Sequence, residues 1–180
     1  WFKNGNLQSF KDKEGNWMPA ISELDDNNKY KRKWMNNNEI FSFTDKDGNR
    51  MPGEISAYGA KIFFENNQAN SYKDEHGDWM PAIIHEEGNK SWLLNNELQS
   101  FKNSDGQYTP SYISNNQQHF EYGDKGVLHS FLNENDELLP SIIKSDGTTM
   151  YHNKGFEIKV PSKIISPIII QKIKEKFVNP

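Results

Sequence analysis

Five histidines and 25 carboxylates are the side chains of this 180-residue chain best able to do acid–base or metal chemistry. Asp45-Lys46-Asp47-Gly48-Asn49 opens like a calcium loop. An EF-hand needs Gly at its sixth position and a bidentate Glu at its twelfth. Counted from Asp45, those places hold Arg50 and Ser56, so the segment reads as a hairpin turn. His76, His85, His119, His129 and His152 contain no pair at the His-Glu-x-x-His spacing, and His85-Glu86-Glu87 lies beside a turn. No Gly-x-Ser-x-Gly, phosphate loop or dinucleotide fingerprint occurs. There is no Cys, hence no disulfide, thiolate metal site or Cys nucleophile. The expectation is no enzyme, no metal site and no cofactor.

The aromatic residues are the alternative source of function. Trp17, Trp79 and Tyr108 each stand two residues before a proline, where two further prolines have Arg50 and Leu138. Such rings could form a stacking platform for sugars, or cover neighbouring strands. A second set, Trp34, Phe64, Trp92, Phe120 and Tyr151, follows the prolines by 10 to 15 residues. In stacked units these form a ladder, which is either one side of the core or a docking surface. Core is the expectation, since apolar residues make up only 34% of the chain.

These positions repeat because the chain does. Ser, an aromatic, eight residues and Pro recur as Ser9-Phe10 to Pro19, Ser42-Phe43 to Pro52, Ser71-Tyr72 to Pro81, Ser100-Phe101 to Pro110, and Ser130-Phe131 to Pro140. The prolines are 33, 29, 29 and 30 residues apart, and a fixed period of this size marks stacked structural units. Gly15, Gly48, Gly77 and Gly106 lie four residues before Pro, with Asp136 in the fifth unit. A second turn follows the Pro-Ala-Ile strand, as at Glu87-Gly88-Asn89, and a third is Asn-rich, as at Asn66-Asn67 and Asn95-Asn96. Turns every 8 to 12 residues between short β-prone runs predict antiparallel hairpins. No unit has a helical period. Pro belongs at a strand start, where its missing N–H is harmless. The next residue is always small (Ala20, Gly53, Ala82, Ser111, Ser141), which suits close backbone approach. Unit 1 holds about four extra residues within 23–29, a cheap loop-tip insertion.

The expected fold is all-β: an elongated array of about five antiparallel β-hairpin repeats in one continuous meander, then a C-terminal strand and short capping helix. Units run approximately 4–35, 36–65, 66–94, 95–122 and 123–155, and the cap 156–180. Phe156 to Val160 reads as the last strand. Ser166-Pro167 reads as a helix start, with Ile169, Ile170, Ile173 and Phe177 on one stripe. This helix covers the open end of the sheet or, as a basic amphipathic helix, meets a membrane or partner. The opening residues 1–10 mirror 92–101, so the chain starts in the middle of a repeat, as a piece of a longer protein would.

Pro140-Ser-Ile-Ile, Asp146-Gly147, Tyr151-His-Asn-Lys-Gly155 and Gly126-Val-Leu-His129 resemble MORN-type and MORN-variant repeats. The resemblance covers residues 1–155 and implies rows of β-hairpins used for binding or scaffolding, of a kind found in bacteria, phages and large DNA viruses. The units here are longer than the usual one and lack its Gly-x-Gly.

Charge narrows the partners. Residues 1–155 carry 16 Lys/Arg against 23 Asp/Glu, while 156–180 carry five Lys against two Glu. An acidic body does not suit a nucleic-acid grip. The sequence therefore predicts a non-catalytic module for protein–protein binding or self-assembly, without nucleic-acid or membrane binding. The repeats and the 22 Asn fit a virion or surface component. A carbohydrate-binding module of a larger protein is the alternative. The candidate binding residues are Trp17, Trp79, Tyr108, Trp34 and Trp92.

Overall fold

The computed structural model describes residues 1–25, 27–114, 119–133, 136–159, 175 and 177. Through residue 159 the described chain is built from antiparallel β-hairpins. Each unit folds as three of them in succession.

The first hairpin runs from the Ser-aromatic pair to the residue before Pro, as in Tyr72–Lys73 against Trp79–Met80. In units 4 and 5 it narrows to the single bridges Lys102–Tyr108 and Leu132–Leu138. The second lies after Pro, as in Ile83–Ile84 against Lys90–Ser91. The third carries the Asn-rich or Gly-containing turn, as in Leu93–Leu94 against Glu97–Leu98.

Only the second hairpins merge. They form one ten-stranded meander of consecutive strands from Ile21–Leu24 to Thr149–Met150. Nine intervals of about 4.8 Å make it about 43 Å wide. First and third hairpins remain as nine separate two-stranded ribbons. The single continuous meander expected from sequence is thus replaced by one spine with two rows of side ribbons. The cause is the pair of bends in each unit, at the Pro and at the ladder aromatic, which turn the chain out of the sheet. Unit 1 has the longest second hairpin, Ile21–Leu24 against Tyr30–Lys33, which accommodates its extra residues.

Each Pro sits between the first and second hairpins. The strand begins two residues later, and the small residue between them is buried. The N–H of Ala82 donates to Ser91 O, and its own carbonyl accepts from Phe63 N of the previous unit, both at 2.8 Å. Ser111 and Ser141 make the same pair, donating to Glu121 O and Met150 O and accepting from Trp92 N and Tyr122 N. A β-carbon on Gly53 would fall 2.6 Å from Phe41 O, so the small residue answers a real contact.

The recurring Ser closes each unit. Its backbone N–H donates to the first residue of the unit's third hairpin, whose N–H donates back to the Ser hydroxyl. Ser71 and Leu93 make these bonds at 2.8 and 3.0 Å, and Ser100 and Gly123 at 2.7 and 3.1 Å. Ser9–Met35 and Ser130–His152 do the same, and Ser42 accepts from Phe64 N. All five Ser are buried.

Third hairpins stack through their turns. Asn95 and Asn96 adopt φ of 53° and 69°, the left-handed values a two-residue hairpin turn needs. Asn96 N donates to Ala69 O of the previous unit, and Asn96 Oδ1 accepts from Ala69 N. Asn38 and Asn67 likewise accept from Leu7 N and Ile40 N. Unit boundaries drawn at these turns run through the third hairpins. Phe156–Glu157 pairs with His152–Asn153, so the predicted terminal strand is the closing arm of unit 5's third hairpin.

The true ladder residue is the one just before the third hairpin: Trp34, Phe63, Trp92, Tyr122 and Tyr151, all buried. Phe64 and Phe120, placed in the ladder from sequence, are out of register by one and two residues. Phe64 opens a third hairpin and Phe120 lies in a spine strand. Both units offer two aromatics within three residues, and only strand register tells them apart.

The spine's outer row changes character along the array. Ser22, Arg32 and Lys61 are exposed in units 1 and 2, whereas Ile113, Phe120, Ile143 and Thr149 are buried in units 4 and 5. Phe177 packs in the cluster containing Ile113, Phe120 and Ile143. The predicted helix start at Ser166 lies outside the described residues, but Glu175 and Phe177 are helical. Phe177 sits edge-on to Trp92 at 6.2 Å, and Lys90 Nζ donates to its carbonyl at 3.0 Å. The tail anchor therefore meets the sheet face at unit 3, not the open end expected from sequence. The end strand offers only two residues, whereas the apolar face needs cover.

Candidate binding surface

Turn chemistry accounts for many of the carboxylates first considered. Asp45 Oδ1 accepts from Asp47 N at 2.9 Å and Asn49 N at 2.8 Å, and Asp12 and Asp74 do the same in their units. Hydrogen bonds from Asn49 and neighbouring backbone N–H groups hold the Asp45 carboxyl below the usual carboxylate range. The backbone of Asn16 does so most for Asp12, that of Lys29 for Asp25 and that of Thr148 for Asp146. These oxygens are hydrogen-bond acceptors within turns. Among the described residues no group of three or more His, Asp or Glu is arranged to hold a metal.

Ser141 Oγ lies 2.6 Å from His152 Nδ1, the one Ser–His contact at this distance among those described. Both residues are buried, and Ser141 Oγ also bonds Met150 O. This is an internal hydrogen bond behind the sheet, closed to a substrate.

The residues two before Pro form a row of their own, running along the first hairpins. The three aromatics among them, Trp17, Trp79 and Tyr108, lie against the Ser-aromatic ring of the following unit. Trp79 stacks on Phe101 at 4.0 Å and 20°, and Tyr108 on Phe131 at 4.3 Å and 17°. Trp17 contacts Phe41 and Phe43 at 5.5 and 5.8 Å. Lysines lie over the outer faces, with Lys73 Nζ 5.3 Å from the Trp79 centre and Lys11 Nζ 5.2 Å from that of Trp17. Trp79 is thus covered by Phe101 on one face and by Lys73 on the other. Trp34 and Trp92 are buried and donate their indole N–H to Trp17 O and Trp79 O. Of the five candidates from sequence, Trp17, Trp79 and Tyr108 line the flank of the array, and Trp34 and Trp92 hold the flank to the core.

The row breaks at the junction of units 2 and 3. Arg50 stands there, exposed, with its guanidinium 5.8 Å from Tyr72 and Nη2 3.4 Å from Phe64 O. Phe63 lies against Tyr72 at 4.8 Å, and burial pushes the Tyr72 hydroxyl pKa up. Without an aromatic to bridge the two first hairpins, a cleft of about 890 Å³ opens between them. Trp79, Met80, Leu94, Arg50 and Lys73 line it, together with the exposed Asp47 and Glu65. Sequence reasoning noted Arg50 as an exception to the aromatic rule without seeing that the exception leaves a gap. Nothing local to Tyr72, Lys73 or Leu94 marked them.

A small recess of about 110 Å³ lies on the other side of Trp79, lined by Ile84, Lys90, Trp92 and Phe177. Burial lowers the pKa of Lys90 there.

Neither a protein-family model nor a curated protein matches this chain.

Proposed function

We propose that the chain is a non-catalytic repeat module for protein–protein binding or assembly, of the MORN-like kind its repeats resemble, serving as a structural component of a virion or a surface. The carrying observation is the row of first hairpins. First hairpins recur along the array, as two-residue ladders in units 1 to 3 and single bridges in units 4 and 5, and the rings of Trp17, Trp79 and Tyr108 are taken up in joining one unit to the next. A sugar platform needs an open ring face, and Trp79 has Phe101 on one face and Lys73 on the other. A protein surface needs instead an extended, mixed polar and apolar relief. The chain exposes 11048 Å². A compact protein of 20.9 kDa would expose about 9,000 Å².

Two measurements on the full chain test this reading. Cross-linking in its native extract is expected to join array lysines such as Lys73 and Lys102 to protein partners or to further copies. A glycan array is expected to show no binding. Saturable glycan binding lost on Trp79→Ala, with the fold intact, would establish the carbohydrate module instead.

A further inference from the structure

The break at Arg50 gives the binding reading a location. We propose that the cleft between units 2 and 3 is a docking site for a short peptide segment of a partner protein, one presenting an apolar anchor beside basic side chains. This rests on the reading of the array as a protein-binding module.

Three observations carry it. Ring stacks join the other junctions through Trp17, Trp79 and Tyr108, whereas here the smaller Arg50 guanidinium lies over Tyr72 and a cleft remains between the two first hairpins. Its lining has the anatomy of a protein interface, with Met80, Trp79 and the exposed Leu94 as apolar surface inside a charged rim. Tyr, Trp and Arg are also the residue types that dominate binding energy at such sites.

Charge selects the occupant. The two cations, Arg50 and Lys73, are drawn over the Tyr72 and Trp79 rings. The lining also holds the exposed carboxylates of Asp47, Glu65 and Glu75, the last beside His76. The repeat region around them carries 16 Lys/Arg against 23 Asp/Glu. A basic segment is attracted to this field, and an acidic one is repelled. An apolar anchor already sits next door: the Phe177 ring lies in the neighbouring recess, which shares Asp74, Trp79 and Met80 with the cleft. A sugar is disfavoured because stacking on Tyr72 or Trp79 would first displace Arg50 or Lys73.

The probe is a labelled 15-residue peptide with the sequence of residues 166–180, titrated into the full chain by fluorescence anisotropy at low salt. Saturable binding is expected. It should weaken at least tenfold on Arg50→Trp, which restores the stack and fills the cleft. It should weaken similarly on the double change Asp47→Lys with Glu65→Lys, which alters exposed side chains only and keeps the test valid if Arg50→Trp misfolds. Absence of binding overturns the proposal. Undiminished binding to both variants also overturns it and assigns the peptide to the recess of Phe177. A cross-linked protein partner retained equally by parent and Arg50→Trp chains overturns the cleft while the module reading stands. A chain that binds glycans and no protein overturns both.

Discussion

At the scale of single residues, most recurring polar side chains have a hydrogen-bonding task inside a turn. The Asp that opens the first-hairpin turn in units 1 to 3 is the clearest case. Asp45 accepts from the N–H groups of Asp47 and Asn49, and its pKa is lowered because those bonds favour the charged form. A carboxyl whose pKa is lower when folded contributes stability above its unfolded value near 3.8. That contribution is lost as pH falls through the lowered, folded value. Asp12, Asp25 and Asp146 share the direction, so acid should destabilise the chain below about pH 4. Asp45→Asn keeps the acceptor and removes the titration, as Asn133 does naturally in unit 5 by accepting from Glu137 N. The variant should stay folded and show a shallower loss of melting temperature between pH 4 and pH 2. An acid limb identical to the parent's would mean that the turn charge is not coupled to folding.

At the scale of elements, strands of two residues are too short to be stable alone, since even a full isolated hairpin is marginal in water. Locks between hairpins make up the difference. Ser71 is the example: its hydroxyl is the acceptor for the buried Leu93 N–H, and its own N–H reaches Leu93 O. Ser71→Ala removes the acceptor and leaves a buried donor unpaired, which costs about 1 to 3 kcal/mol. Chemical denaturation should show that loss, with amide exchange faster at Leu93 and Leu94 than in the spine strands. An unchanged midpoint would show that water replaces the hydroxyl and that the Ser is not a lock. The same logic explains the alternation of Asn-Asn with Asn-Gly or Lys-Gly at the third turns. Gly126 and Gly155 adopt the required positive φ, and their N–H groups reach the preceding unit, but only Asn adds a side-chain acceptor.

At the scale of the whole molecule, stability comes from stacking like on like: spine on spine, third turn on third turn, flank ring on flank ring. Each unit contacts chiefly its neighbours, so the array behaves as a one-dimensional chain of coupled units. Trp92 ties its own flank hairpin, the next unit and the tail together, its backbone N–H donating to Ser111 O. It is 2% exposed, donates its indole N–H to Trp79 O, and receives Phe177 edge-on. Trp92→Ala should cost about 3 to 5 kcal/mol. It should also release Phe177, read as faster amide exchange at that residue than in the parent. Small-angle scattering of the parent monomer should give a radius of gyration above the value of about 16 Å for a compact chain of this length. A smaller value, or Trp92→Ala melting like the parent, would contradict a stacked array with a ring core.

The all-β repeat, its period, the three turns per unit and the need for a small residue after Pro were legible in the amino-acid order alone. All of these are local: turn residues declare their φ, and a fixed spacing declares stacking. Which aromatic of Phe63-Phe64 and of Phe120-Glu121-Tyr122 entered the ladder was not legible: in the first pair a shift of one residue swaps faces without changing composition, and in the second the choice depends on where the spine strand ends. The role of the recurring Ser also escaped, since its partner lies 22 to 26 residues away in sequence. Likewise, Arg50 declared itself as an irregularity, but only the stack of Trp79 on Phe101 and Tyr108 on Phe131 showed what was missing beside it. The docking of Phe177 at unit 3 was decided by tertiary structure as well. The tail sequence supplied an apolar ring at 177, and Trp92 and Lys90, brought together with it only by the fold, receive its ring and its carbonyl.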